Sequence, residues 1–295
     1  MEFVVAPFLD ALCATLRKKD LKTLQEIGPW SWTVETYYNR RREFKAFTET
    51  NLDGTKADIT IYETPNADVH YTSLTKHDRI VHIWMELSNQ ASLSSREMPL
   101  ERYRTKVVPV LNALADTYAF RGYTRFLCPA NKTDCLFSGL RAPAQEIKTA
   151  YFGGRCVKFI EEQVALGRLE HLELHGNEWP DSMEASLKAF LRSPNFVTLD
   201  LSGSNLTVDL DMLICIVQRF CKGDLRKGTL LQGKPSEEMK ALRKALLSSD
   251  ISLSGRLPEP SSADLKLGRM EWTRPDHETL HALITATNLC ICYAK

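Results

Sequence analysis

His277-Glu278-Thr-Leu-His281 matches HExxH, a spacing that on a helix puts two imidazoles on one face to bind zinc, with the glutamate beside them as a base. Zinc hydrolases need a third protein ligand, yet only 14 residues follow His281 and none is His, Asp or Glu. After Trp272-Thr-Arg-Pro-Asp the segment also reads as a strand, where residues four apart sit about 13 Å from each other, beyond any shared ion. A zinc-dependent hydrolase is therefore the weaker reading. The expectation is no metal, no cofactor and no enzyme. Eight cysteines (13, 128, 135, 156, 215, 221, 290 and 292) are scattered without a CxxC pair, so most read as small core residues and none as part of a zinc knuckle or a disulfide framework. GxGxxG, GxxxxGK[ST] and GxSxG are absent, which leaves no phosphate cradle or nucleophile elbow.

Charge narrows the partners. Lys and Arg total 38 against 37 Asp and Glu, a formal charge of +1, so no net field draws the chain to nucleic acid or to an anionic membrane surface. The run Arg40-Arg41-Arg42 reads as a solvated edge. No apolar stretch approaches the roughly 18 to 20 residues that span a bilayer, and the N-terminus carries acidic residues where a signal peptide would be basic. The expected location is cytoplasmic or nuclear.

The elements emerge from an echo. Leu169, Leu172 and Leu174 recur 27 residues later as Phe196, Leu199 and Leu201. Apolar-x-x-apolar-x-apolar is the strand half of a leucine-rich repeat, and one repeat cannot bury its own apolar face, so more should exist. Ile147-Lys-Thr-Ala150-Tyr-Phe152 fits 22 residues earlier and Tyr123-Thr-Arg-Phe126-Leu-Cys128 fits 24 before that. Ile80-Val-His-Ile83-Trp-Met85 is a candidate first strand, and Leu225-Arg-Lys-Gly228-Thr-Leu230 a weaker sixth.

Helical spacing fills the intervals: Cys156, Phe159, Ile160 and Val164, stopped by Gly167; Met183, Leu187, Phe190 and Leu191, opened by Asp181 with Glu184 three on; Leu213, Ile216, Val217 and Phe220, stopped by Gly223; and Met239, Leu242 and Leu246 after Pro235-Ser236. An earlier helix runs from Pro99 to about Tyr118, with Pro109 as a kink or break. The strands must be parallel because each helix is a crossover. Their mixed x positions favour an irregular leucine-rich-repeat-like β/α solenoid over a doubly wound sheet covered on both faces.

Stacking aligns equivalent positions across such a sheet. One row reads Trp84, Leu127, Tyr151, Glu173, Asp200 and the next His82, Arg125, Thr149, His171, Thr198. Trp84, Arg125, Tyr151, His171, Glu173 and Asp200 are the candidate partner-binding residues, with coverage of Trp84 and Tyr151 by the N-terminal segment as the alternative.

Before the repeats, Phe8, Leu9, Leu12, Cys13 and Leu16 make one helical face, Asp20 to Ile27 a second short helix capped by Asp20, and Trp30 to Tyr38 a third. Phe44 to Phe47 and Ile59 to Tyr62 flank Asp53-Gly54 as a hairpin, and Arg269 to Thr273 opens another. The segments divide as 1–42 (helical), 43–75 (hairpin), 76–250 (solenoid) and 251–295 (capping strands).

The triplet carrying Pro7-Phe8-Leu9, Leu12, Leu16, Asp20-Leu21, Leu24 and Trp30 resembles an F-box. Ser204-Asn205-Leu206-Thr207 followed by Lys222-Gly223-Asp-Leu225 is similar to the SNLT and KGxxL pattern of the F-box-associated domain abundant in nematodes. The resemblance implies a substrate adaptor of a cullin-RING ubiquitin ligase, with Pro7, Phe8, Leu12, Leu16, Leu21, Leu24 and Trp30 docking on a Skp-type adaptor and the repeats holding a protein target. The residues alone equally support a helical cap that shields the first repeat.

Overall fold

In a computed structural model of the protein, described over residues 6–27, 31–51, 54–63, 67–87, 97–115, 117–123, 137, 139–247, 257–264 and 267–293, the chain opens with three short helices. They are α1 (Ala6–Thr15), α2 (Lys18–Ile27) and α3 (Ser31–Arg40). None has the 12 to 15 residues that make an isolated helix stable in water, so a shared core holds them: Leu9, Cys13, Leu21, Val34 and Tyr37, with Leu16 and Leu24 packed against it. The stripe on α1 is narrower than its spacing predicts, because Phe8 points out at 62% exposure. Asp20 lies in the first turn of α2 and does not cap it; its charge there still complements the helix dipole.

The contacts divide the chain into two units, Met1–Ala144 and Gln145–Lys295. In the first, β1 (Glu43–Thr50), β2 (Lys56–Glu63) and β3 (Ala67–Val69) form an antiparallel meander. Its first turn is closed by Asn51 Oδ1, which accepts from the amides of Thr55 and Lys56. β4 (Arg79–Leu87) then returns parallel to β1, and β5 (Met98–Pro99) adds to β2.

One helical run follows as α4 (Leu100–Arg102), a π turn at Tyr103–Val107 and α5 (Val108–Leu114). Proline cannot donate its amide and crowds the carbonyl one turn back; the wider π turn before Pro109 absorbs that conflict without breaking the helix. The helix ends at Leu114, four residues short of the predicted end, and Tyr118 instead begins β6 (Tyr118–Tyr123), parallel to β4. Of the strand predicted over 123–128 only Tyr123, the last residue of β6, is among the described residues; 124–128 lie outside them.

Arg41 overturns the solvated-edge reading of the arginine run. It is 1% exposed and donates to the carbonyl oxygens of Cys13 at 2.5 Å and His77 at 2.7 Å. Burial pulls its pKa down to about 10, which still leaves it charged near neutrality. Arg42 pairs through two nitrogens, each 2.9 Å from an Asp78 oxygen.

In the second unit strand and helix alternate as predicted: β7 (Ala144–Ala150), α6 (Gly154–Leu166), β8 (His171–His175), α7 (Met183–Arg192), β9 (Thr198–Asp200), β10 (Thr207–Val208), α8 (Leu210–Lys222), β11 (Leu230–Pro235) and α9 (Glu237–Leu247). β7, β8, β9 and β11 are neighbours in that order and all parallel. Successive crossovers of one hand lay their helices on one face, and α6 packs on α7 and α7 on α8. Ile147, Leu172, Leu174, Leu199 and Leu231 face that layer with Phe159, Met183, Leu187, Phe190, Ile216 and Phe220, all buried.

Gly167 and Gly223 end α6 and α8 with φ of 67° and 80°, the left-handed conformation glycine adopts without strain. Asp181 does not cap α7; Ser182 holds the cap position and makes no side-chain bond there. After α9 the sheet turns antiparallel, with β12 (Ser262–Asp264), β13 (Arg269–Thr273), β14 (Thr279–Ile284) and β15 (Leu289–Tyr293), and β15 closes against β11.

The echo holds where it was read first: His171 pairs with Thr198 and Leu172 with Leu199, the predicted offset of 27. Elsewhere the register moves. Ile147 pairs with Leu172 and not with the position of Leu169, and the last parallel strand places Leu231 beside Leu199, three residues beyond Gly228, which the predicted alignment put there. Gly228 at φ 84° makes the predicted segment a turn.

The Ser204-Asn205 motif ties the loop after β9 to the loop after β8. Asn205 Oδ1 accepts from the Trp179 amide at 3.0 Å and its Nδ2 donates to the Trp179 carbonyl at 2.9 Å, while Ser204 Oγ donates to the Leu201 carbonyl. Asn205→Ala is expected to cost roughly 2 kcal/mol, since the amide and carbonyl of Trp179 each lose a partner. Urea unfolding of the two proteins checks it.

Candidate recognition surfaces

The face of the second unit opposite its helices is lined by Glu146 and Lys148 of β7, His171, Glu173 and His175 of β8, Thr198 and Asp200 of β9, and Leu230 and Gln232 of β11. They alternate along their strands with the buried residues. Register sets Lys148 beside Glu173, Glu173 beside Asp200 and Asp200 beside Gln232. Glu173 Oε1 lies 2.5 Å from Lys148 Nζ and 2.8 Å from His175 Nε2. Gln232 Nε2 donates to Asp200 at 2.6 Å, as does Ser202 Oγ. Burial works against the Asp200 charge, but the bonds from Ser202 and Gln232 and the nearby His175 outweigh it, so its pKa falls below the ordinary carboxylate value. His171 Nδ1 meets Thr198 Oγ1 at 3.1 Å.

The predicted rows are thus right at Glu173, Asp200, His171 and Thr198 and wrong at two positions. Lys148 occupies the place read for Tyr151, and Thr149, read as exposed, is fully buried. Tyr151 lies past the end of β7 with its ring 5.3 Å from Trp179 at 70°. Arg125 and Leu127 lie outside the described residues. Sequence reasoning missed Lys148, His175 and Gln232; once the 25-residue step from β7 to β8 replaces the assumed 22, the alternation finds the first of them.

Ser202, His175 and Asp200 invite a comparison with nucleophilic catalysis. In that chemistry the base takes the hydroxyl proton. Here Ser202 donates to Asp200 while His175 sits on Glu173, so the hydroxyl is not activated. A side chain at Gly203 would begin 2.4 Å from His175 Nδ1, so the glycine is what lets the imidazole lie down against β9. The surface is a set of mutually neutralised polar groups around one carboxylate held ionised, suited to hydrogen-bonding a partner.

In the first unit, Trp84 lies beside Tyr62 and His82 at ring distances of 6.0 and 6.1 Å, with Lys45 Nζ 5.5 Å above its ring. Trp84 is half-buried by these neighbours. Of the residues predicted for adaptor docking, Pro7 and Phe8 are exposed, Leu12, Leu16 and Leu24 are half-buried, and Leu21 is fully buried; Leu21 therefore acts through the helical core and cannot touch a partner. Trp30 lies outside the described residues. Sequence reasoning missed Trp32, which is 78% exposed on α3 and falls off the face made by Val34 and Tyr37.

HExxH falls on a turn and a strand. His277 has φ 66° in the turn before β14, Glu278 pairs with Lys227, and His281 on β14 stands 3.6 Å from Glu271 of β13. The helical geometry that zinc binding by this motif needs is not formed. Among the described residues no group of three His, Cys, Asp or Glu side chains is placed to hold a metal, and no helix is long and apolar enough to cross a membrane. Compared with protein-family models, curated proteins and solved structures, the chain matches none.

Proposed function

We propose that the protein is a non-enzymatic recognition adaptor, an F-box-like substrate receptor of a cullin-RING ubiquitin ligase that works in the cytosol or nucleus. In this reading the helix triplet docks on a Skp-type adaptor, and the polar strand face of an irregular leucine-rich-repeat-like solenoid holds a protein target. The observation that carries it is the triplet itself, which completes its own core yet leaves Phe8 and Trp32 62% and 78% exposed. Large exposed aromatics on a rigid support are the usual anchors of protein interfaces.

Pull-down from cells is expected to recover a Skp-type adaptor with the wild-type chain, and Phe8→Ala with Trp32→Ala to reduce recovery at least ~10-fold at unchanged melting temperature. These positions are cleaner than Leu12, whose partial burial ties it to the fold. No recovery, or recovery indifferent to both changes, removes the docking claim.

A second reading, an interaction module whose helices only cap the sheet, is favoured by Arg41, which fastens α1 to the loop before β4. The same experiment separates the two.

A further inference from the structure

Three parts of the first unit meet at the Tyr37 ring. Its hydroxyl donates to Asp10 Oδ1 of α1 at 2.6 Å. The ring lies 4.7 Å from that of His77, edge to face, in the turn before β4. Lys76 Nζ and the Arg41 guanidinium each stand 5.7 Å from its centre. Lys76 reaches on to Asp10 at 3.3 Å, and Arg41 holds the carbonyls of Cys13 and His77. These contacts fasten the helix triplet to the start of β4.

His77 is the group in this knot that titrates nearest neutrality, and its surroundings suit only the neutral ring. Nδ1 is buried without a hydrogen-bond partner, so a proton placed there finds no acceptor. The charges facing it are mainly positive: Lys76 on its own turn, Arg40 at the end of α3 and Arg41 after it. Two carboxylates oppose them. Asp78 is engaged by both Arg42 nitrogens, and Asp10 by Tyr37 and Lys76. Cys13 of α1 stays a neutral thiol, because burial pushes its pKa up.

We infer that His77 is an acid-sensitive latch: neutral, it packs on Tyr37 and holds the helix triplet to the sheet of the first unit, and protonated, it is repelled by Lys76, Arg40 and Arg41 and frees the triplet. The inference is independent of what the triplet binds. Burial and those cations, in that order, place the His77 pKa below the ordinary imidazole value. A base whose folded pKa is depressed contributes stability that is complete above the unfolded value of about 6.5 and is lost as pH falls through the folded one. The Asp10 carboxyl, lowered chiefly by the Tyr37 bond against a burial effect, responds only in more acid solution.

The test is hydrogen exchange of the full chain at about pH 7.5 and about pH 5.5, corrected for intrinsic rates, in peptides covering α1 and α3. The wild type is expected to lose protection there by up to tenfold for each unit between the unfolded and folded His77 pKa, and His77→Gln, which cannot charge, to show no such loss. Should that variant fold poorly, the NMR titration of His77 in the wild type decides, with Arg40→Gln expected to raise its midpoint. Protection independent of pH, an equal acid response in His77→Gln, or a His77 midpoint at or above about 6.5 overturns the latch.

Discussion

Arg41→Met is expected to destabilise the N-terminal unit by about 2–4 kcal/mol, read as an earlier unfolding transition by tryptophan fluorescence in urea. Two opposing effects set the size. The variant strands the carbonyls of Cys13 and His77, which Arg41 satisfies at 2.5 and 2.7 Å, and a buried polar group left without its partner costs about 1–3 kcal/mol. Against this, methionine fills most of the volume and removes a charge whose burial is visible in its pKa of about 10. The unpartnered Nε of Arg41 belongs to that relief as well. The carbonyls dominate because the Cys13 bond is buried, where water cannot replace it, and the His77 bond is partly so. Arg41→Lys tests the geometry: an ammonium retains the charge but lacks the planar fork that reaches two carbonyls on different elements, so it should recover less than half of the loss. A variant as stable as wild type would show that the buried guanidinium is only tolerated.

The second large effect lies in the other unit. Phe190 of α7 is fully buried and meets Phe196 edge to face, with centroids 5.2 Å apart and planes at 88°. It stands between the helix layer and the start of β9, where Leu187, Leu191 and Leu199 are also fully or nearly fully buried. Phe190→Ala removes that ring from a close-packed interior and is expected to cost roughly 3–5 kcal/mol, from lost transfer energy and the cavity left behind, with ~1 kcal/mol of it the aromatic pair. Phe190→Leu keeps most of the volume and should cost about half as much. Equal losses in the two variants would mean that the ring geometry matters more than the space it fills.

The sequence was most informative where periodicity and burial agree. The faces Met183, Leu187, Phe190, Leu191 and Leu213, Ile216, Val217, Phe220 were legible because a 3.6-residue stripe has one way to face a core, and all eight are buried. The 27-residue echo was legible because Leu172, Leu174, Leu199 and Leu201 repeat one pattern on paired strands. Register was not legible elsewhere, because neighbouring apolar residues fit the same template. Phe152 can stand where Leu174 does as readily as Thr149, and only the fold shows Thr149 in that place. The open face inherited those slips, so Glu173, Asp200 and His171 were found while Lys148 and Gln232 were missed. Arg41 was hidden for another reason: three consecutive arginines read as solvent-facing, and nothing local says that the middle one reaches carbonyls 28 and 36 residues away.

β11 carries a consequence for how such a chain can grow. One of its edges continues the parallel ladder through β9 and the other accepts β15 running the opposite way. A duplicated strand-helix copy inserted after β11 would need the edge that β15 already occupies, and would have to displace a finished meander. The antiparallel meander therefore seals the parallel ladder on that edge, leaving β11 no free side on which a further parallel strand could pair.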